Sequence, residues 1–128
     1  MVIQLDIDGT LDYAPQFFSW LAFALERDRR HKVLIVSSRT TSPENLKITD
    51  RELEEMDIVY DKLILSPALA DLDLSRVPPD LPLGQRVYIY KLMAAEDNGT
   101  EILFDDCGIT TALFRRYLPA VKVFRPIR

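Results

Sequence analysis

The sequence predicts an α/β fold in which helices cover both faces of a mainly parallel central sheet of about five strands. Short, continuous apolar runs are typical of parallel strands that are buried on both faces. These runs alternate with amphipathic stretches of helical length, which favours crossover connections. Polar or acidic residues directly follow several of the runs, where open α/β sheets bind their ligands.

The predicted strands begin with the apolar run that ends at Asp6. The later runs are typical of strands in length and in their apolar or β-branched content. They comprise residues 33–36, 57–65 including an approach, 100–104 and 121–124.

The first predicted helix covers residues 16–27, and its apolar residues at helical spacing should pack on the sheet. These residues are Phe17, Trp20, Leu21, Ala24 and Leu25.

The second helical region begins with a turn or helix start at residues 42–45, followed by a short helix over 49–55. Thr49 and Glu52 have capping-box spacing for that helix.

Two further helices follow an irregular, proline-rich connection at residues 66–84. The second half of residues 85–99 favours helix, whereas residues 87–90 fit either a strand or a helix start. The last helix covers residues 108–118 and ends before Pro119.

The opening strand ends in Asp6-Ile7-Asp8-Gly9-Thr10. Alternate side chains of an extended chain share a side, so Asp6 and Asp8 lie together if the chain stays extended through them, and Gly9 permits a sharp turn at positive φ. Two neighbouring carboxylates repel unless a cation or a shared proton offsets their charge. With Mg²⁺, one can attack phosphorus while the other transfers a proton. Taken alone, an Asp-x-Asp pair is more often a strand that ends in an acidic turn.

Other chemical groups are predicted to reach the same edge of the sheet. Ser37 follows the second strand, and Asp105 and Asp106 follow the fourth. Hydroxyl groups can position phosphate oxygens, although Ser37 by itself also fits an ordinary polar loop. Lys91 could offset charge on a phosphate, as phosphoryl transfer requires.

Composition limits the class of protein. With 48% hydrophobic and 28% charged residues, the chain is typical of a soluble globular domain, and no run reaches the length of a membrane span. The early first strand leaves no room for a signal peptide, so we expect a cytoplasmic protein. The single cysteine, Cys107, excludes an intramolecular disulfide framework and a cysteine-based zinc site. A net charge of −4 argues against a uniformly basic nucleic-acid surface, but it allows a local basic groove.

The order of an Asp-x-Asp-Gly-Thr strand, a serine strand, a lysine and an acidic pair resembles the haloacid dehalogenase (HAD) superfamily of phosphotransferases. The resemblance covers essentially the whole chain. It implies a Rossmann-like three-layer sandwich and a single phosphatase domain over residues 1–128. The implied activity is hydrolysis of phosphomonoesters with Mg²⁺ through an aspartyl-phosphate intermediate.

The same resemblance implies a role for each matching residue. Asp6 would be the nucleophile, and Asp8 the general acid and then the base. Ser37 would bind the phosphoryl group, and Lys91 would neutralise charge. The implied metal ligands are Asp6, Asp8 through its backbone carbonyl, Asp106, and Asp105 as a ligand or support. The implied substrate contacts are Gly9, Thr10, Ser37, Ser38 and Arg39.

Two features depart from the superfamily pattern. Residues 107–111 lack the further acid that many members carry, so the metal would depend more on Asp105 or on water. Lys91 is closer to the acidic pair than in many members, which is similar to compact phosphatases that act on polymers. Lys62 is the alternative for the lysine role.

Members that act on small metabolites commonly carry a cap domain, but residues 66–86 are too few for one. The implied open site suits a nucleic-acid end, a phosphoprotein, or a small molecule enclosed by a neighbouring subunit. The segment 60–63, together with Arg115 and Arg116 after the acidic pair, resembles the phosphatase domain of polynucleotide kinase/phosphatases. A polynucleotide end is therefore the expected substrate.

Two other functions stay open. One is a phosphatase for nucleotides or sugar phosphates that is completed by oligomerisation, although the sequence does not itself indicate an oligomer. The other is a catalytically inactive HAD-like binding module, which the complete set of residue types disfavours. Glycine-rich P-loop and dinucleotide fingerprints are absent, so ATP- or NAD-dependent chemistry has no support.

Overall fold

The computed structural model describes residues 1–126; residues 127 and 128, which the predicted domain includes, lie outside this part. The strands are β1 (Val2–Leu5), β2 (Lys32–Thr40), β3 (Lys62–Ser66), β4 (Ile102–Phe104) and β5 (Lys122–Phe124). The helices are α1 (Pro15–Glu26), α2 (Pro43–Glu55), α3 (Ile89–Asn98) and α4 (Gly108–Tyr117). All strands pair in parallel in the order β3-β2-β1-β4-β5. The predicted α/β class with a parallel five-stranded sheet is confirmed.

The strand order determines where a ligand can bind. The chain moves outward from β1 to β3 and then returns to place β4 on the other side of β1. In open α/β sheets such a reversal leaves a crevice beyond the carboxyl ends of the central strands. Asp6 directly follows β1 and Asp105 directly follows β4, so both lie at this crevice.

The sheet separates two apolar layers. On one face, Phe18 and Ala22 of α1 and Leu53 of α2 pack against the buried side chains of β1 and β2. On the other face, α3 and α4 contribute Leu92 and Phe114 to a second cluster. This arrangement is a three-layer sandwich with the core on both sides of the sheet.

Helix α1 presents a different face to the sheet from the one predicted. Its buried residues are Phe18 and Ala22. Phe17, Trp20 and Phe23 are 48%, 65% and 55% exposed, so the prediction that the helix aromatics lie in the core is wrong for Phe17 and Trp20. The apolar stripe of α1 is wider than the strip of sheet that it covers, and its outer edge stays exposed.

Residues 43–55 form one helix rather than a turn and a short helix. Ser42 is its N-cap, and the Ser42 hydroxyl accepts a hydrogen bond from the N–H of Asn45 at 2.9 Å. Pro43 follows at the first helical position, which it favours. Thr49 is therefore buried inside the helix, and its predicted capping box with Glu52 is wrong.

The ambiguous residues 87–90 are helical. A 3₁₀ segment (Leu83–Tyr88) leads into α3, which places Lys91 in the first turn of that helix. The preceding connection lies against the helices, because Arg76 binds Asp97 and Asp80 accepts a hydrogen bond from Tyr117. Within residues 1–126 this connection forms no separate cap domain.

In the described part of the chain, none of the helices has both the length and the apolar content needed to cross a membrane.

Removal of the α2 cap should weaken the fold. We expect Ser42→Ala to lower the free energy of unfolding by about 1 kcal/mol, because the N–H of Asn45 loses its acceptor. Ser42→Asp keeps an acceptor and should retain most of the stability. Urea denaturation followed by circular dichroism measures both changes. Equal stability of the alanine variant and the wild type would show that α2 does not depend on this cap.

Candidate active site

The loop after β1 is shaped by Gly9 and by its hydrogen bonds. Gly9 has φ +85°, which confirms the predicted sharp turn. Its N–H donates to Oδ1 of Asp12 at 2.7 Å. Thr10 is fully buried, and its hydroxyl donates to Asp6 at 3.5 Å and accepts from the N–H of Asp106 at 3.1 Å. Thr10 therefore joins the ends of β1 and β4.

A buried lysine connects the two acidic segments. Nζ of Lys91 lies 3.0 Å from Oδ1 of Asp6 and 2.7 Å from Oδ2 of Asp105. The three side chains are only 3%, 6% and 1% exposed. The other oxygen of Asp105 accepts a hydrogen bond from the N–H of Cys107 at 2.8 Å. Buried charges are stable only when they are paired and hydrogen-bonded in this way.

Burial and charge act in opposite directions in this cluster. Burial raises the pKa of the Asp6 carboxyl, Lys91 lowers it, and the neighbouring Asp105 carboxylate raises it further. For Lys91, burial alone would lower the pKa, but the carboxylates of Asp6 and Asp105 raise it above its ordinary value. Lys91 is therefore held as an ammonium ion.

Three carboxylates of the cluster fit a small divalent cation. Asp6, Asp105 and Asp106 each offer an oxygen, and these oxygens lie within 4.8 Å of one another. A side-chain hydrogen bond between Asp6 and Asp106 also raises the pKa of Asp6. Two carboxyl groups in contact hold a proton between them more readily than they carry two negative charges. Carboxylate oxygens are the ligands that Mg²⁺ and Ca²⁺ prefer. The residues present therefore suit such an ion.

The second carboxylate of the opening motif faces an arginine. Nε and an Nη of Arg39 donate to the two oxygens of Asp8 at 3.0 and 2.9 Å. The other Nη donates to Glu52 at 2.6 Å and to Thr49 at 3.2 Å. The hydrogen bonds from Arg39 lower the pKa of Asp8, so Asp8 is ionised in this arrangement.

An irregularity in β2 directs Arg39 toward Asp8. Ser37 pairs with Leu65 and Thr40 pairs with Ser66, so two residues of β2 have no counterpart in β3. One of them is Arg39. Such bulges commonly redirect side chains beside functional sites.

The other predicted site residues take different places. Ser37 is fully buried, and its hydroxyl accepts a hydrogen bond from the N–H of Arg39 at 3.2 Å. The next residue, Ser38, is exposed. Lys62 is exposed at the start of β3, on the edge of the sheet opposite to the site. Lys91 is thus the lysine that meets the acidic cluster.

Sequence reasoning missed the contribution of α2 to the site. Thr49 and Glu52 are one helical turn apart, so both can reach the same guanidinium group. Their spacing was the available signal, but it also fitted a capping box.

Comparisons with known proteins identify structures with this fold. No family description and no curated protein sequence matches the chain. Among solved structures, it is similar to a chain of the Pnkp1/Rnl/Hen1 RNA repair complex, with a TM-score of 0.66, 20% identity, and coverage of 98% of this chain and 42% of that chain. A second structure of a Pnkp1/Rnl/Hen1 complex contains a chain with a TM-score of 0.59, 22% identity, and coverage of 98% and 45%. This chain therefore spans less than half the length of the chains that it matches, and at these identities the likeness shows a shared fold.

Replacing the buried lysine should cost much of the stability. Lys91→Met leaves Asp6 and Asp105 buried without their cation, and we expect a loss of about 3–5 kcal/mol in the free energy of unfolding. Lys62→Met is the matched control, because Lys62 is exposed, and it should change stability by less than about 0.5 kcal/mol. Urea denaturation in EDTA compares the two. Equal losses of stability in the two variants would contradict a cluster in which the buried carboxylates of Asp6 and Asp105 depend on the charge of Lys91.

Proposed function

We propose that this chain is a Mg²⁺-dependent phosphomonoester hydrolase that acts through an aspartyl-phosphate at Asp6, on the phosphorylated end of a polynucleotide. The convergence of Asp6, Lys91, Asp105 and Asp106 at the carboxyl edge of a parallel sheet carries the proposal. Phosphoryl transfer needs positioning and neutralisation of charge, and this cluster supplies both.

Asp6 is the proposed nucleophile. A carboxylate oxygen of Asp6 bonds to phosphorus as the bond from phosphorus to the leaving oxygen breaks. Water then attacks the phosphoryl group, releases phosphate and restores the carboxylate. Lys91 and Thr10 hold the Asp6 side chain during both steps. Mg²⁺ bound by Asp6, Asp105 and Asp106 would offset negative charge on the phosphate.

Asp8 is the proposed proton carrier. It donates a proton to the leaving oxygen and later takes one from the attacking water, so the two steps balance. Its side chain is 54% exposed, and its pairing with Arg39 keeps it ionised, which suits the second step. For the first step Arg39 must move away so that Asp8 can hold a proton. A phosphate oxygen is a natural alternative partner for the guanidinium.

Two features support a polynucleotide end as the substrate. The described residues form no cap over the site, which leaves space for a large molecule. Two guanidinium groups lie at the edge of the site: Arg39 binds Asp8, and Nε of Arg125 donates to the carbonyl of Asp106 at 3.0 Å. Guanidinium groups at the rim suit a phosphate backbone. The likeness to chains of an RNA repair complex also favours a role in the processing of RNA ends.

Phosphate release tests the chemistry. We expect wild-type protein with Mg²⁺ to release phosphate from oligonucleotides with a 3′- or 5′-phosphate, and to release none in EDTA. Asp6→Asn should abolish release while the protein stays folded. Glu101→Gln is the matched control, because Glu101 is exposed at the opposite end of the strand that leads to Asp105, and it should keep wild-type activity.

The substrate panel should also contain p-nitrophenyl phosphate and mononucleotides. A preference for mononucleotides over oligonucleotide ends would favour a small-molecule phosphatase instead. Activity of Asp6→Asn equal to that of wild type would remove Asp6 as the nucleophile.

The arginine network gives a separate prediction. Arg39→Lys keeps the positive charge but loses the planar group that, once it leaves Asp8, can hold a phosphate through two hydrogen bonds. We expect kcat/KM to fall roughly 10- to 100-fold, the effect of losing about 1.5–3 kcal/mol of charged hydrogen bonds. Arg51→Lys, an exposed arginine of α2, should have no effect. Unchanged kinetics in Arg39→Lys would show that Arg39 does not hold the substrate phosphate.

A further inference from the structure

A groove of about 1150 Å³ lies between α1 on one side and, on the other, the second half of α2 with the segment that joins α2 to β3. None of its lining residues belongs to the acidic cluster or to the Arg39 network. On the α1 side, Trp20 and Phe23 line it with rings that are 65% and 55% exposed. On the other side, Tyr60 lines it, and its hydroxyl donates to Asp50. Large exposed aromatic groups that share one concave surface commonly mark an interaction site.

The charge of the groove has one sign. Within the described part of the chain, its charged lining residues are all acidic: Glu26, Asp50, Glu54, Glu55 and Asp57. Such a surface repels the phosphate backbone of a nucleic acid and attracts cations. The groove is therefore unsuited to the proposed substrate, and it suits a positively charged partner.

The aromatic groups add selectivity for a guanidinium or an ammonium group. The guanidinium of Arg27 lies 5.9 Å from the centre of the Phe23 ring, so one side of that ring already has a cation from this chain. Trp20 presents the larger ring three residues earlier, and tryptophan is the best aromatic partner for a cation. Its apolar faces also suit an aliphatic side chain.

Hydrogen bonds hold the two sides of the groove together. The hydroxyl of Ser19 donates to the carbonyl of Asp57 at 2.8 Å, which joins α1 to the turn after α2. Asp57 has φ +54° in this turn, and the N–H of Ile58 donates back to the carbonyl of Leu53 at 2.9 Å. A surface that is already formed loses less entropy when it binds a partner.

We propose that this groove docks a basic, amphipathic segment of a partner polypeptide, with arginine or lysine side chains against the acidic rim and apolar side chains against Trp20 and Phe23. Charge complementarity carries the choice of occupant. A symmetric pair of copies would place the acidic rims against each other, which disfavours a second copy of this chain.

Trp20 supplies a local reporter, because it is the only tryptophan in the chain. The probe is a short peptide that alternates arginine and leucine, added to the whole protein while Trp20 emission is recorded. We expect a saturable change in emission. A counterpart peptide with glutamate in place of arginine, and a single-stranded oligonucleotide, should cause none.

Matched variants separate the groove from the overall negative charge. Glu54→Gln with Glu55→Gln removes two groove charges, and we expect the arginine peptide to bind roughly 2- to 30-fold more weakly, as for two exposed ion pairs. Glu44→Gln with Glu101→Gln removes two exposed charges outside the groove and should leave the affinity unchanged. Fluorescence anisotropy of a labelled peptide measures the same affinities and does not rely on the emission of Trp20.

Three results would overturn the proposal: no saturable signal, equal weakening in both double variants, or oligonucleotide binding that changes Trp20 emission. A mass that rises with protein concentration, and that rises at lower concentration in the groove double variant, would make a second copy the occupant instead, because that variant removes repulsion between two acidic rims. None of these readouts uses phosphate release, so the docking proposal and the phosphatase proposal can fail separately.

Discussion

The contact of Lys91 with Asp6 and Asp105 is the interaction on which the site depends. Two carboxylates at the ends of adjacent strands would repel each other strongly after burial, and a single ammonium group between them removes this cost. The contact requires the first turn of α3 to lie at a fixed distance from the carboxyl ends of β1 and β4. Gln4 helps to fix the position of this turn, because its buried side-chain amide donates to the carbonyl of Lys91 at 3.3 Å.

The order of elements could be predicted because the strands of a parallel sheet are apolar runs that end in polar residues. Asp6 and Asp105 were placed at one edge by this logic alone. The lysine that pairs with them was harder to predict, and Lys62 stayed an alternative to Lys91. Residues 87–90 fit a strand or a helix start, so the sequence did not determine the direction in which the Lys91 side chain points. The remaining hint in the sequence is a lysine within an otherwise apolar stretch from Ile89 to Ala95, where a charge needs a partner.

Features that depend on one extra turn or on a shift in register could not be predicted. Arg39 reaches Asp8 and Glu52 because β2 has two unmatched residues before Thr40, and no residue pattern marks this bulge. The exposure of Trp20 has a similar origin. Helical periodicity shows that α1 has an apolar stripe. The part of this stripe that becomes buried depends on how α2 and the turn after it pack beside α1.

The two proposed binding surfaces differ in the groups that they offer to a partner. Arg39 and Arg125 at the sheet edge favour a polyanion, whereas the groove beside Trp20 favours a polycation. A net charge of −4 hides this separation, because it sums over both surfaces. The residues that line the groove are distinct from the acidic cluster and from the Arg39 network, although Glu52 of that network and Glu54 of the groove belong to the same helix. Each surface can therefore select its own partner, and a basic polypeptide in the groove need not compete with a nucleic-acid end for the same side chains.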